Sequence, residues 1–330
     1  MATTRFGDIS PRTAAYAATE MLAHAEPIFV LSKMGVTKPM PRNKGETIVF
    51  RRIVPLQAAT TPVVEGVTPT AQRLQYEDVS ATLKQYGRPI EITDKVRDLH
   101  EDPVLADASQ QAGEQAGRTI EQVLYGILKA GTNVVYANGV TRSAVNTAIS
   151  LNKQRAVTRV LAAQKARKIN RIVSAGTGYG TSAVEASYVA VGHTDLDSDI
   201  RNMAGFIPVA KYGTRSTISD QEIGSVEQVR YILTPDLEPF LNAGGAHGNV
   251  VVSQGGVNAD VYPVLFFGMD AFGQVPLKGA EAITPMVVNA KPTDSDPMAQ
   301  RNYVSWKTWF TAVILNELWM CRLEVAVSKL

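Results

Sequence analysis

The sequence predicts an α+β fold, and three observations carry that prediction. Residues 102–131 show the four-residue apolar repeat of a long helix. Two β-rich stretches within 46–93 are separated by a long connection without helical periodicity. Residues 206–290 alternate short β-branched runs with Gly and Pro turns. With 330 residues and 45% hydrophobic content, the chain can bury one large core or two smaller ones.

The N-terminal residues 1–45 are predicted to form an arm without a core of its own. One short helix is expected at about 13–25, followed by extended chain through "KPMPRNKG". The most apolar stretch here contains Glu20 and Pro27, so it is not expected to cross a membrane. The first ten residues also lack the apolar core of a signal peptide.

Residues 46–93 predict a long two-stranded hairpin. "ETIVFRRIVPL" has the β-branched content of a strand, and in "EDVSATLKQYGRPIEIT" Val79, Ala81 and Leu83 alternate with polar residues. The connection between them contains Gly66 and several prolines, and such long connections are usually functional or mobile. Two strands alone are marginal in water, so this hairpin needs a surface to lie on, in its own domain or in another subunit.

The helix predicted at 102–131 has recognisable ends. Asp102 suits the N-cap, Pro103 suits the first helical position, and Gly131 suits the C-cap. One flank carries small residues at Gly113, Ala116 and Gly117. Two interpretations stay open: an ordinary core helix, or a long spine that carries other elements along its length.

The remaining segments are predicted from periodicity and turn residues. Residues 151–169 predict an amphipathic basic helix, and "DLDSDIRNMAGF" begins another helix with acids at its N-terminus. Residues 303–330 hold all three tryptophans and alternate like buried strands. Further strands are expected at "RIVSAG", "EASYVAVG", "IPVAKYG", "SVEQVRYILTP", "NVVVSQGG", "ADVYPVLFFG" and "AITPMVVNA".

The glycine-rich stretch "GTGYG" at 176–180 invites comparison with phosphate-binding loops. A P-loop needs Lys where Thr181 stands, and a dinucleotide fingerprint needs Gly at that position. Both motifs also require a helix directly after the loop, whereas a strand is predicted here. A turn that uses the backbone freedom of glycine is therefore the favoured interpretation.

No metal or cofactor site is expected. Asp195, Asp197 and Asp199 match the start of an EF-hand loop, but Ile200 and Phe206 occupy the positions that require Gly and Glu. The four histidines are far apart in the sequence, and the single cysteine, Cys321, lies in an apolar strand where burial is expected. A chain without disulfides suits a reducing compartment.

The strongest charge signal is a segment without acids. Residues 122–184 contain no Asp or Glu, in a chain of net charge +2. The segment is either a solvated helix face or a surface for a polyanion or for the acid-rich residues 185–240 of another copy. The candidate contacts are Lys153, Arg155, Arg159, Lys165, Arg167 and Lys168.

Two rival functions follow from these segments. A nucleic-acid-binding protein would use 122–184, and its monomer would bind in a salt-dependent manner. An enzyme would hold a phosphate ligand with 170–200, which would require saturable nucleotide binding. The motifs above do not favour the enzyme.

Several stretches are similar to the capsid family of the N4-like phages, in the same order along the chain. They are "TPVVEGVTP", "GYGTSAVEASYVAVGHTDLDSDIR", "FIPVAKYGT", "EIGSVEQVRYI", "VYPVLFFGMDAFGQVPLKG" and "AVILNELWMCRLEVA". The N-terminus and 132–160 depart from the family pattern. Overall, the chain resembles a major capsid protein of tailed bacteriophages.

That resemblance implies the Johnson fold with five parts. They are an N-arm at 1–45, an extended hairpin called the E-loop at 46–93, a P-domain at 94–169 with the spine helix at 102–131, a mostly A-domain part at 170–290, and C-terminal P-domain strands at 291–330. The implied contacts between subunits involve Arg51, Arg52, Glu65, Arg73 and Tyr179.

The resemblance further implies a structural role without catalysis or cofactors. The expected partners are other copies in hexamers and pentamers of an icosahedral shell, a separate scaffolding protein, a portal, and packaged DNA held without sequence specificity. No membrane is expected. The protein would reside in the virion capsid, after assembly in the host cytoplasm.

Overall fold

The structure is a computed structural model that describes residues 28–99, 104–174, 180–213, 217–277, 284–288, 292, 298 and 300–330. The helix expected at 13–25, the cap residues Asp102 and Pro103, and Tyr179 lie outside these residues. Among the described helices, none has both the length and the hydrophobicity that crossing a bilayer requires.

The chain alternates a few helices with many short strands. The helices are α1 (Asp94–Leu99), α2 (Val104–Leu128), α3 (Leu151–Ala163) and α4 (Asp197–Arg201). The strands are β1 (Val36–Thr37), β2 (Thr47–Ile53), β3 (Tyr76–Thr82), β4 (Lys84–Thr93), β5 (Val134–Tyr136), β6 (Ile169–Ser174), β7 (Gly180–Gly192), β8 (Phe206–Pro208), β9 (Glu222–Val226), β10 (Val229–Leu233), β11 (Tyr262–Phe267), β12 (Phe272–Pro276), β13 (Thr284–Val288), β14 (Arg301–Ile314) and β15 (Met320–Val325).

In the described part of the chain these strands form three sheets. One has the order β1-β12-β14-β13, with β4 also paired to β14. Because β4 and β13 both pair with residues 303–307, they lie on opposite sides of β14. The largest sheet has the order β5-β15-β11-β7-β10-β9-β8, with β6 paired to β7, and β2-β3 is a separate ladder.

The long helix α2 organises the main core. Its buried residues Ala112, Ala116 and Leu124 share one hydrophobic cluster with β14, where Trp306 and Phe310 are buried. The cluster continues onto one face of the largest sheet through residues of β7, β10 and β11. The 25 residues of α2, at ~1.5 Å rise per residue, give a helix about 38 Å long. Both predicted features, a core position and great length, are thus present in α2.

The other face of the largest sheet carries a second core. Helix α3 packs there with Val157 and Leu161, against residues such as Tyr231 and Phe266. Gln154 is buried in this layer, where its Oε1 accepts from Tyr231 Oη at 2.8 Å and its Nε2 donates to the Val226 carbonyl at 3.0 Å. Helices therefore cover both faces of this sheet.

The helices predicted at 102–131 and 151–169 both end earlier in the structure, at Leu128 and Ala163. The last turn of α2 tightens into three-residue hydrogen bonds from the amides of Ala130 and Gly131. Gly131 does not have a left-handed φ; a side chain there would lie 2.4 Å from the Met320 methyl group. Helix α3 ends at Ala163 rather than 169, since Lys165 has φ of 55° and the Ala166 amide bonds back to the Leu161 carbonyl, which closes a Schellman turn.

The hairpin predicted in 46–93 divides into two parts. β2 and β3 pair in register from Thr47↔Thr82 to Ile53↔Tyr76. Beyond Leu83, β4 instead pairs with β14 over ten residues. Leu83 is buried with Phe50, Met40 and Val275, and this cluster joins the base of the arm to the sheet that carries α2. We call residues 47–82 the arm.

The strands predicted after residue 170 were partly correct. The strand expected at "NVVVSQGG" is wrong: residues 249–256 form turns with a single bridge, Val251↔Ser328. β12 was not predicted. The two C-terminal strands separate, because β14 lies in the sheet with α2 whereas β15 joins β11 and β5 in the largest sheet. After the "GTGYG" stretch, β7 begins at Gly180 and pairs with β6, so a strand follows as predicted.

Candidate assembly surfaces

The arm carries its charges as pairs across the two strands. Arg51 Nε donates to Asp78 Oδ1 at 2.8 Å, and its Nη2 donates to Asp78 Oδ2 at 3.0 Å. Arg52 pairs with Glu77. The hydrogen bonds from Arg51 lower the pKa of Asp78 below its usual value. Because the two arginines have partners within the arm, the ladder is close to neutral on both faces.

The connection at the end of the arm, residues 54–75, has no regular structure and is exposed from residue 55 onward. The Val67 amide donates to the Val64 carbonyl at 3.1 Å, and Gly66 has φ of 80°, as the third residue of a type II turn requires. Glu65 lies in this turn, and Arg73 lies in the returning chain. The exposed apolar side chains are Leu56, Val63, Val64, Val67 and Leu74.

The predicted basic surface lies on α3 and on the chain that follows it. Arg159, Lys165 and Arg167 are exposed, and Lys168 is half-buried. The side chain of Lys153 turns back to the Tyr136 carbonyl, with 3.0 Å between Nζ and O. The positive charge available to a partner is therefore concentrated at the end of α3.

Arg155 has an acidic partner within its own chain. Its Nε donates to Glu227 Oε1 at 2.9 Å, and this hydrogen bond lowers the pKa of Glu227. Glu227 belongs to the acid-rich segment 185–240, one of the partners predicted for the basic segment of another copy. For Arg155, that pairing is formed inside the subunit.

A buried carboxylate holds the N-terminal segment onto α2. Glu121 is 4% exposed, and its two oxygens accept the amides of Leu31 at 2.9 Å and Ser32 at 3.1 Å. These amides begin a short 3-10 turn, Leu31–Lys33, and would otherwise lack partners in the core. Burial raises the pKa of Glu121. No local pattern of the sequence indicates this anchor, because Leu31 and Ser32 lie about 90 positions before Glu121.

A second buried carboxylate, that of Glu324, lies on β15 in the largest sheet. Glu324 is fully buried and accepts from Arg142 at 2.7 and 2.8 Å and from Arg322 Nε at 2.8 Å. Arg322 also donates to the carbonyls of Lys129 and Gly131 at the end of α2. The Arg142 guanidinium stacks on the Phe240 ring, 3.6 Å from its centroid. Arg142, one cation of the basic segment 122–184, is therefore bound by groups within the subunit.

The residues considered for metal or nucleophile chemistry have structural contacts. Asp195 accepts from Tyr262 Oη at 2.8 Å, Asp197 pairs with Arg201, and Asp199 accepts the Ser328 amide at 2.9 Å. Within the described ranges, no three His, Cys, Asp or Glu side chains converge as metal ligands. Cys321 is buried, and burial raises the pKa of its thiol to about 12.

Comparison with known proteins identifies the family. The sequence model of a family described as phage capsid protein matches residues 76–322. No curated protein matches the chain by sequence. Among solved structures, the capsid of Ralstonia phage GP4 is similar with a TM-score of 0.69 and 13% identity, over 92% of this chain and 91% of that one.

Two further structures share the fold at equally low identity. The capsid asymmetric unit of cyanophage Pam1 has a TM-score of 0.64 and 13% identity, over 93% of both chains. The head of Helicobacter pylori bacteriophage KHP40 has a TM-score of 0.58 and 11% identity, over 88% of this chain and 87% of that one. The predicted α+β capsid fold is confirmed. This chain belongs to the phage capsid protein family and is a structural protein of the virion shell, which assembles as an oligomer.

Proposed function

We propose that the subunit builds an icosahedral shell of hexamers and pentamers by laying its arm on a neighbouring copy. The exposed arm carries this proposal. A two-stranded ladder is marginal by itself, yet most positions of β2 and β3 are exposed and the connection 54–75 adds five exposed apolar side chains. A neighbouring copy would supply the surface that the arm lacks, in a heterologous contact that closes into rings.

The parts of the tailed-phage capsid fold are assigned to this chain as proposals. Residues 1–45 form the N-arm and 46–93 the E-loop, within which the arm ends at Thr82. Residues 94–169 with the spine helix α2 form most of the P-domain, 170–290 are mostly A-domain, and 291–330 complete the P-domain. The pairing of β15 with β11 favours moving that strand to the A-domain sheet.

Shortening the arm tests this proposal. Val54 and Gln75 are already hydrogen-bonded at 2.9 Å, so Asn-Gly can replace residues 55–74 and close the ladder with a two-residue turn. We expect a soluble, folded subunit that forms no shells under electron microscopy. A matched variant keeps the loop length but changes Val63, Val64 and Val67 to Ser, which isolates the apolar contribution. Normal shells from the shortened arm would refute the assignment.

The subunit is also proposed to contact packaged DNA without sequence specificity, through the basic surface at the end of α3. Arg159, Lys165 and Arg167 are exposed there, and cations of this kind bind phosphates in a salt-dependent manner. Charge reversal at Arg159 and Lys165 should lower DNA retention in heated particles. Arg155→Gln is the matched control, since Glu227 already neutralises Arg155. Wild-type DNA retention after reversal would count against this role.

Further partners are proposed from the resemblance alone. A separate scaffolding protein and a portal would act during assembly in the host cytoplasm, and no catalytic step is assigned to the chain. Co-expression with and without the phage's scaffolding protein, followed by microscopy of the particles, tests whether shells of uniform size need that partner.

A further inference from the structure

A groove runs along α2 on the side where this helix faces β4. The strand residues that line it belong to β4 and lie between residues 88 and 93. Val96 and Val104 make its first part apolar, whereas polar residues of α2 line the rest as far as Gln122. Gln111 lines both parts, so the groove is continuous over about five turns of the helix. We call it the α2 groove.

The apolar part of the α2 groove is open to solvent. Val96 is 39% exposed, and Ile90 and Val104 are half-buried. A strand laid in the groove would have to pair with the edge of β4, where Gly87 and Pro89 weaken such pairing. A helix needs no backbone partner, so a helix with an apolar face suits the groove better than a strand does.

The described chain begins at Ile28, close to the polar part of the groove. The amide of Leu31, three residues later, donates to Glu121 Oε2 at 2.9 Å, and the next residue of α2, Gln122, lines the groove. Residues 1–27 precede this point and include the helix predicted at 13–25. At ~1.5 Å rise per residue, that helix would be about 20 Å long, and the groove from Val104 to Gln122 is about 27 Å long. The predicted helix therefore fits along the groove, with its C-terminal end tethered at the polar part.

The predicted helix has one narrow apolar face. Ala14, Ala18, Leu22 and Ala25 recur at helical spacing, whereas Glu20 falls on a different face. The two parts of the groove have volumes of about 390 and 430 Å³, which accept a row of side chains but not the body of a helix about 10 Å across. Small side chains let a helix lie close over such a groove and fill it with one face.

The charges of groove and helix match in the direction that the tether sets. A helix that enters from the polar part runs parallel to α2, which places Glu20 near Arg118 and Arg12 near Asp107. The reversed direction would pair Glu20 with Asp107 and Arg12 with Arg118, and these like charges repel. Arg118 lies 3.7 Å from Asp236 but is 58% exposed, so it keeps room for a second acidic partner.

We propose that residues 13–25 dock as a helix in the α2 groove of their own subunit, with Ala14 near Gln111 and Glu20 near Arg118. The open side of α2 in an unassembled subunit is then covered by its own N-terminal segment. The same segment of a second copy is the rival occupant. The short tether to Ile28 favours the subunit's own segment, because it gives that segment a high effective concentration at the groove. The inference concerns the unassembled subunit and does not depend on the proposed shell contacts.

A pair of introduced cysteines tests the docking. Full-length, unassembled subunits carrying Ala14→Cys and Gln111→Cys should form an intramolecular disulfide when oxidised with diamide, seen as a faster-migrating monomer on a non-reducing gel. The native Cys321 is buried and does not compete for the oxidant. Ala14→Cys with Ala106→Cys is the matched control, because Ala106 is exposed on α2 but lies about 140° around the helix from Gln111. The control pair should crosslink at least tenfold more slowly.

A charge exchange tests the direction of the docked helix. In the Ala14→Cys, Gln111→Cys background, Glu20→Arg should slow the crosslink several-fold, and adding Arg118→Glu should restore it. Equal rates for the two cysteine pairs, or no crosslink from either, would overturn the proposal. Disulfide-linked dimers in place of the crosslinked monomer would also overturn it, in favour of a second copy's segment. A Glu20→Arg subunit that crosslinks at the original rate would refute the match of charges. None of these readouts requires a shell, so they are independent of the proposed function.

Discussion

Removal of the Glu121 carboxylate should release the N-terminal segment from α2. In Glu121→Ala, the amides of Leu31 and Ser32 lose acceptors at 2.9 and 3.1 Å inside the core. A hydrogen bond to a charged group contributes about 1.5–3 kcal/mol. Two such bonds, offset by the burial that raises the pKa of the carboxyl, leave a net loss of about 3 kcal/mol, or roughly 100-fold in local opening.

Amide hydrogen exchange measures this opening directly. The exchange rates of Leu31 and Ser32 should rise about 100-fold in Glu121→Ala, and about tenfold in Glu121→Gln, which keeps one carbonyl acceptor. Gln122→Ala changes an exposed neighbour on the same helix and should leave both rates unaltered. If both Glu121 variants exchanged at the wild-type rate, the carboxylate would not be an anchor. If Glu121→Gln exchanged more slowly, burial of the charge would cost more than its hydrogen bonds provide.

The remaining predictions concern pH and three further residues. Burial raises the pKa of Glu121 above 4.5, so the protonated carboxyl adds an increment of stability that is fully present below pH 4.5 and is lost as pH rises through the folded pKa. The hydrogen bonds from the two amides remain above that pH. Denaturation at several pH values should show wild type losing this increment relative to Glu121→Gln over that window. Glu324→Gln weakens the acidic partner that Arg142 and Arg322 share and should lower stability by about 3 kcal/mol in thermal unfolding. Lys165→Gly should stabilise by about 1 kcal/mol, because Lys165 has a left-handed φ, whereas Lys165→Ala should be neutral. Gly244→Ala should destabilise by about 2 kcal/mol, since two backbone carbonyl oxygens lie within 2.9 Å of the new methyl group; an unchanged melting temperature would refute that packing.

The elements predicted correctly are those with a long local period. Helix α2 repeats its apolar stripe over many turns, and the alternation at Val79 and Ala81 matches β3. The same alternation gave no sign that the strand changes partners at Leu83. That change is set by β14, more than 200 residues later in the chain, and no local pattern records such a pairing.

In the second half of the chain, one predicted strand is wrong and one strand was not predicted. Val250, Val251 and Val252 have high β-propensity, yet of the three only Val251 forms a bridge, to Ser328, and the chain bends directly afterwards, where the Gln254 amide donates to the Asp260 carboxylate. β12, by contrast, contains Gly273, Gln274 and Pro276, which are poor strand residues, and forms because β14 pairs with it. Tertiary contacts decided both cases.

For the surfaces, the sequence gives the position of each charge along the chain but not the partner with which it pairs. Arg159 and Arg167, in the segment 122–184 without acids, are exposed, which fits both a solvated helix face and a contact surface, so their role as contacts stays a prediction. The absence of acids could not indicate that Arg155 pairs with Glu227, because these residues are 72 positions apart. Glu121 and Glu324 escaped notice for the same reason, since their partners come from distant segments.

The internal pairing of charges has a consequence for how assembly should respond to salt. Arg51 and Arg52 are neutralised within the arm, so in the proposed contact the arm would present its exposed valines to a neighbour rather than net charge. Salt screens charge interactions but does not weaken apolar burial. If the arm makes the proposed contact, that contact should therefore persist at high ionic strength, whereas DNA bound at the proposed basic surface of Arg159 and Lys165 should be released. A salt series that dissociates the shell before it frees the DNA would contradict both proposals, the apolar contact of the arm and the charged contact with DNA.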